Sequence, residues 1–443
     1  MSISKALLLT MTLLLFPAGW ASPQDGEPDA AVATAYRLID AMAAGKFDKA
    51  VADFDETMRK LMPAEKLEAT WKVIAEKVGA FKGRGTARKE SIGALEAVFV
   101  PCRFEKIPLD AKVVVSLSGE ITGLWFNPAQ PPVVYTPPDY SNSDSFEEVE
   151  VTVGVEGWLL PDTLTVPEGD GPFPAIVLVH GSGPNDRDET IGPNKPLRDM
   201  AEGLSSRGIA VLRYEKRTRE HALRMLSSGV SLTVKEETID DARAAVELLA
   251  RADKVDPKRV FVLGHSLGAM LAPRIANEAV AGLIIMAGPS RPLVELLLDQ
   301  FEYISGLDGI VTEAERKNIE MVRDAIDQIE KLDPSKDAPE EILGVPPIYW
   351  LDLRDYKPAE TARGVEVPML ILQGERDYQV KMVDFAGWKK ALGERKDVTF
   401  KSYPSLNHLF IPGIGKSTPA EYTKSGHVHS EVIDDIARWI TGQ

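Results

Sequence analysis

Three stretches far apart in the chain carry residue types that together can do nucleophilic chemistry. The first is Gly264-His265-Ser266-Leu267-Gly268, the second Gln373-Gly374-Glu375-Arg376-Asp377, the third Ser402-Tyr403-Pro404-Ser405-Leu406-Asn407-His408. A serine hydroxyl is a poor nucleophile. It becomes a good one when an imidazole takes its proton and a carboxylate holds that imidazole in the right tautomer. Ser266, His408 and Asp377 are the candidates for nucleophile, base and acid. The apolar run Val260–Leu263 precedes Ser266 and a helix-forming run, Ala269 to Asn277, follows it. Strand, sharp turn and helix in that order lift a serine oxygen clear of a sheet. Gly264 and Gly268 leave room where the crossing strand and helix would meet a side chain. The Leu267 N–H and the helix N-terminus then face the place where an oxyanion forms. Pro273, inside the helical run, removes a donor and predicts a bend.

These residues need strands whose C-terminal ends share one rim. Ala175–Val179 is a continuous apolar run of the kind buried on both faces of a parallel sheet. Ile209–Arg213, Val260–Leu263, Gly282–Met286, Pro368–Leu372 and Val398–Lys401 read the same way, with helical runs between most of them, including an amphipathic one at Thr238–Arg251. Glu148–Val155 and Trp158–Val166 read as an antiparallel pair ahead of them. The fold class is α/β: a doubly wound, mostly parallel sheet whose ligands bind at the C-terminal strand ends. Asp377 lies just past one strand and His408 in the loop after the last. Glu375 is the other carboxylate at the same strand end. Of six histidines, only His408, His427 and His429 follow the candidate acid, and the latter two flank the final helix, where solvent exposure is expected. A second oxyanion donor belongs after the first parallel strand, where His180-Gly181-Ser182-Gly183-Pro184 offers the Ser182 N–H. His180 reads as a packing residue. Asn185–Asp188 and Tyr214–Arg217 read as turns held by internal polar contacts.

About eighty residues between Met286 and Pro368 show no clear strand. Helical runs at Leu293–Ile304, Thr312–Leu332 and Tyr349–Arg354 predict a helical cap over about residues 291–363, with Phe301, Tyr303, Tyr349 and Trp350 as cap core or pocket lining. Residues 28–127 form a separate α+β pattern. Helices at Ala30–Phe54, split by Gly45, and at Pro63–Phe81 precede strands at Ala94–Arg103, Lys112–Leu117 and Ile121–Phe126. It reads as an accessory module without chemistry. Residues 128–146, with five prolines and then Ser-Asn-Ser-Asp-Ser, read as a linker, stiff first and flexible after. Residues 1–21 read as a signal peptide: Lys5, the apolar run Ala6–Phe16, and small residues at Gly19-Trp20-Ala21. A mature protein starting near Ser22, secreted or periplasmic, is the expectation.

The chain has 443 residues and a net charge of −16 from 51 basic and 67 acidic side chains. The length predicts more than one domain. The charge disfavours nucleic acid and anionic membrane as partners. Cys102, the one cysteine, has no intrachain partner and reads as a buried strand residue. Gly413-Ile414-Gly415-Lys416-Ser417 lacks the first glycine of a phosphate loop and a preceding strand, and Gly181-Ser182-Gly183 lacks the third glycine of a dinucleotide fingerprint. His427-Val428-His429 has no evident metal-ligating partners.

Taken together, His-Gly-Ser-Gly-Pro-Asn-Asp-Arg-Asp-Glu-Thr from His180, Arg-Tyr-Glu-Lys-Arg from Arg213, Gly-His-Ser-Leu-Gly from Gly264 and Gly-Glu-Arg-Asp-Tyr-Gln-Val from Gly374 resemble one group of the α/β-hydrolase superfamily. That group is the bacterial serine carboxylesterases filed with serine aminopeptidase-like hydrolases, some preceded by a small accessory domain. The resemblance covers about residues 147–443. It implies hydrolysis of small acyl esters through an acyl-enzyme, with nucleophile Ser266, acid Asp377 and base His408, and with no metal and no cofactor. A peptidase of the same fold and a non-catalytic binding protein are the alternatives.

Overall fold

The computed structural model describes residues 29–92, 95–129, 135–227, 231–335, 339 and 341–443. The signal-peptide reading of residues 1–21 lies outside them. The described residues divide into two compact units, one of residues 29–129 with the short stretch Glu220–Arg224, the other built from the rest of the described chain from Tyr135 onward.

The smaller unit opens with the helix Ala30–Ala43, whose first turn is capped by the Asp29 carboxylate accepting from Ala31 N. Gly45, at φ +69°, turns the chain into the short helix Phe47–Ala50. Helices Glu56–Leu61 and Ala64–Val78 follow. Strands β1 (Phe81–Arg84), β2 (Arg88–Ile92), β3 (Leu95–Phe104), β4 (Leu109–Ser116) and β5 (Ile121–Pro128) pair antiparallel, in the order β1-β3-β4-β5 with β2 also on β3. Alternate residues Val98, Val100, Cys102 and Phe104 of β3 pack with Val113 and Val115 of β4 against Leu38, Ile39, Leu67 and Trp71 of the helices. Cys102 is the buried strand residue expected, and burial pushes its thiol up to about 12. Strands β1 and β2, polar and short, had no sequence signature.

The larger unit holds an eight-stranded sheet in the order β13-β12-β11-β10-β8-β9-β7-β6. Its strands are β6 (Phe146–Val153), β7 (Leu160–Pro167), β8 (Phe173–Val179), β9 (Ala210–Tyr214), β10 (Val255–His265), β11 (Gly282–Met286), β12 (Met369–Gly374) and β13 (Val398–Tyr403). β8 through β13 pair parallel, and β7 runs against its neighbours β6 and β9. The apolar runs are sandwiched as expected. Val177, Val179, Val260 and Val262 enter one core, while Ile176, Leu178, Phe261 and Leu263 enter the core on the opposite face.

The flexible second half expected of the linker is instead fastened to this unit. Tyr135 Oη donates to Asp199, Tyr140 Oη to Val428 O at 2.7 Å, and Ser141 Oγ to Glu202. The Asn142 N–H donates to Ser206 Oγ. Serine and asparagine side chains here found backbone and carboxylate partners, which composition alone does not reveal. Between β11 and β12 lie the helices Leu293–Ser305, Glu313–Glu330, Pro347–Arg354 and Pro358–Ala362, with Thr312 and Glu315 forming a capping box. Tyr349 and Trp350 are buried in the core there, whereas Phe301 and Tyr303 are half-buried.

Candidate active site

β8, β10, β12 and β13 are parallel and close together in the sheet, so the loops leaving their C-terminal ends gather at one rim. Ser182, Ser266, Asp377 and His408 each follow one of these four strands. Ser266 lies between β10 and the helix Leu267–Ile275, at φ 54° and ψ −115°, a conformation that costs a side-chain-bearing residue about 1–3 kcal/mol. Its N–H donates to Met286 O, which ties the turn to the neighbouring strand. The glycines are sterically required. A Cβ on Gly264 would meet Gly268 O at 2.3 Å, and one on Gly268 would meet Val179 O at 2.4 Å. Pro273 stays inside the helix, in its final turn, where little of the hydrogen-bond ladder remains to break.

Asp377 and His408 are brought together. His408 Nδ1 and Asp377 Oδ2 are 2.7 Å apart, and both residues are buried. The other carboxylate oxygen accepts from Gln379 N at 2.8 Å and Val380 N at 3.0 Å. Gln373 Nε2 adds a bond to Oδ2 at 3.2 Å. With its acceptor sites so filled, Asp377 is fixed in rotamer and aimed at the imidazole. Glu375 turns elsewhere and accepts from Ser402 Oγ, so it does not compete for His408. Gly374 lets the base loop approach: a Cβ there would meet Leu406 O at 2.5 Å. Asn407 shapes that loop by accepting from Leu409 N and Ile411 N. Among the described residues no hydrogen bond joins Ser266 Oγ to His408; such a contact often forms fully only in the complex with substrate.

The oxyanion candidates are open. Among the described residues, neither the Leu267 N–H nor the Ser182 N–H has a hydrogen-bond partner, and Ser182 is exposed. The Gly181–Ser182 stretch lies against the nucleophile: a Cβ on Gly181 would sit 3.1 Å from Ser266 Cβ and 3.7 Å from its Oγ.

Two groups escaped the sequence reading. Glu189 accepts from Gly181 N at 2.6 Å and contacts His265 Nδ1 at 2.9 Å. His265 Nε2 donates to His408 O at 3.0 Å, and the two imidazole centroids are 4.7 Å apart. Burial disfavours charge on His265, but Glu189 outweighs it and raises its pKa. Burial likewise disfavours charge on Glu189, and His265 outweighs that and lowers it. They form a buried ion pair that ties the oxyanion loop to the base loop. The second group is Lys216, which donates to Gly181 O at 2.7 Å and to Glu237 Oε1 at 2.6 Å. Nothing in a single sequence marks either pair. Glu189 and Lys216 lie in or beside the polar turns around Asn185–Asp188 and Tyr214–Arg217, whose internal contacts do form: Asp186 with Thr190, Arg187 with Glu215, Asp188 with Arg213, Arg217 with Asp241. His180 is the packing residue expected, edge-on to Tyr214 at 4.9 Å. His427 is not the exposed residue expected. It is half-buried on Asp199 at 3.0 Å, and His429 caps the last helix.

Comparison with known proteins places the chain in a family. Residues 176–429 match the model of the Alpha/beta hydrolase family, and residues 35–124 match a family described as a protein of unknown function (DUF3887). Esterase EstD of Thermotoga maritima is 40% identical over 408 residues, 92% of this chain and 94% of that protein, so the similarity runs through both units. Similar solved structures include Est1E from Butyrivibrio proteoclasticus, 15% identical with a TM-score of 0.42, covering 66% of this chain and 99% of that one. The Pyrococcus furiosus esterase PF2001 is 17% identical with a TM-score of 0.42, covering 71% of this chain and 97% of that one. The chain belongs to the alpha/beta hydrolase family.

Proposed function

We propose that this chain is a serine carboxylesterase acting on small acyl esters. Ser266 attacks the ester carbonyl while His408 takes its proton at Nε2. Asp377 holds the ring with Nδ1–H toward itself and stabilises the imidazolium that forms. The N–H groups of Leu267 and Ser182 receive the oxyanion. His408 returns its proton to the leaving alkoxide, and a water activated by the same imidazole releases the acid. What supports the reading is a strained, half-buried Ser266, two N–H groups without a partner among the described residues and a 2.7 Å His408–Asp377 contact, all in loops that leave the same ends of parallel strands. The full-length similarity to an esterase supports ester over amide as the bond attacked.

The test is hydrolysis of p-nitrophenyl acetate and longer acyl homologues beside aminoacyl p-nitroanilides. Ester turnover abolished by Ser266→Ala, with the anilides untouched, is expected. Preference for anilides would make the chain a peptidase of the same fold. We also propose export, on the strength of the Ala6–Phe16 run and the small residues at Gly19-Trp20-Ala21. The intact mass of the protein recovered from the producing cells tests it.

A further inference from the structure

The peptide between Gly181 and Ser182 is held from behind by a buried cation. Lys216, 1% exposed in its side chain, donates to Gly181 O at 2.7 Å, and Asn185 Nδ2 adds a bond to the same oxygen at 3.2 Å. The C=O of Gly181 and the N–H of Ser182 belong to one planar trans amide, so they point in opposite directions. Fixing the carbonyl toward Lys216 therefore fixes where the Ser182 N–H aims. The ammonium also polarises the amide, which makes that N–H a stronger donor to developing negative charge. On the far side of Lys216, Glu237 sits in a π-helical turn, Lys235–Ile239, a local distortion frequent at functional sites. Its second oxygen accepts from Tyr349 Oη at 2.6 Å, and Tyr349 belongs to the helix Pro347–Arg354, in the stretch expected to form the cap. An unbroken chain of hydrogen bonds thus runs from that helix through Glu237 and Lys216 to the oxyanion loop. A buried ion pair is often no better for the fold than apolar residues of the same volume, so stability alone is a weak reason for this one.

We propose that Lys216 is a positioning residue that aims and polarises the Ser182 N–H, and that Tyr349 couples the cap to it through Glu237. The inference rests on Ser266 being the nucleophile. The test uses the full chain carrying Lys216→Met, and Lys216→Met with Glu237→Gln so that no lone carboxylate is buried. Each is assayed with p-nitrophenyl acetate and with an alkyl trifluoromethyl ketone, which forms a charged hemiketal on the serine. A tenfold to hundredfold fall in kcat is expected with KM within about twofold, less than the loss on removing an oxyanion donor outright. The ketone's inhibition constant should rise by the same factor, while the midpoint of the kcat/KM pH profile stays put because the base is untouched. Tyr349→Phe, which leaves the Lys216–Glu237 pair in place, should show the same parallel loss, smaller, at about threefold. Folded Lys216 variants that keep wild-type ketone affinity and kcat overturn the proposal. If neither folds, wild-type ketone affinity in Tyr349→Phe overturns it. Retention of turnover in Ser266→Ala would instead sink the underlying reading.

Discussion

Replacing Asp377 by asparagine changes one oxygen for one NH2 and predicts a large, specific loss. The amide oxygen must take the place of Oδ1, because two backbone N–H groups, Gln379 at 2.8 Å and Val380 at 3.0 Å, require an acceptor there. The NH2 is then left facing His408 Nδ1, where the carboxylate accepted at 2.7 Å. It donates to Nδ1 and drives the proton to Nε2, the nitrogen that has to receive the serine proton. The wrong tautomer typically lowers kcat by about 10⁴-fold, as in the serine proteases, or about 5.4 kcal/mol of barrier. Gln373 cannot rescue it. Its Nε2 also donates to Gly374 O and Val380 O, so it meets the new NH2 donor to donor. That conflict adds about 1–3 kcal/mol of destabilisation, which a urea melt reads separately from activity. Hydrolysis of p-nitrophenyl acetate, normalised to folded enzyme, is the assay. Activity within tenfold of wild type would refute Asp377 as the orienting acid.

Three further outcomes follow from the same geometry. Glu189→Ala leaves His265 buried without its carboxylate and should cost about 3–5 kcal/mol of stability in urea melts. His265 is raised above its ordinary 6.5, so its share is present below that value and fades as pH rises through its folded pKa. Glu189 is lowered below its ordinary 4.5, so its share is lost as pH falls through its folded pKa. The variant's deficit should therefore be largest between those two ordinary values, and a deficit independent of pH would count against the ion pair. Burial raises Asp162 to about 8, so it is protonated in the fold while the unfolded chain ionises above pH 4. Its contribution falls as pH rises from about 4 to 8, and Asp162→Asn should gain about 5 kcal/mol over wild type at pH 8 with little gain at pH 4; equal effects at both would exclude this. Gly268→Ala must displace the backbone at Val179 and His180 O, since its Cβ would lie 2.4 and 2.6 Å from those oxygens. A drop of about 1–3 kcal/mol in stability with loss of ester turnover is expected, and a wild-type melt would contradict the close approach.

What the sequence made legible is what period and chain order encode. The apolar runs Ala175–Val179 and Val260–Leu263 became central strands because their residues fill cores on both faces. The Gly264–Gly268 turn and the chain order of the later strand ends are what nominate Ser266, Asp377 and His408. Strands β1 and β2 stayed hidden because their residues are polar and they earn strand geometry only by pairing with β3. His427 was misjudged and the partners of Glu189 and Lys216 were missed for one cause. His427, Glu189 and Lys216 are polar side chains whose burial depends on partners from other parts of the chain: Asp199, His265 and Glu237. A one-dimensional pattern marks where a charge sits in the chain and not what covers it.

The central claim is that the Ser266 hydroxyl is the nucleophile. The most direct measurement is peptide mapping after stoichiometric fluorophosphonate treatment, with activity followed in the same sample. One phosphonate on Ser266, lost turnover in proportion to its occupancy and no adduct in Ser266→Ala are predicted. An adduct on another residue, or turnover that persists when Ser266 is fully modified, would contradict it.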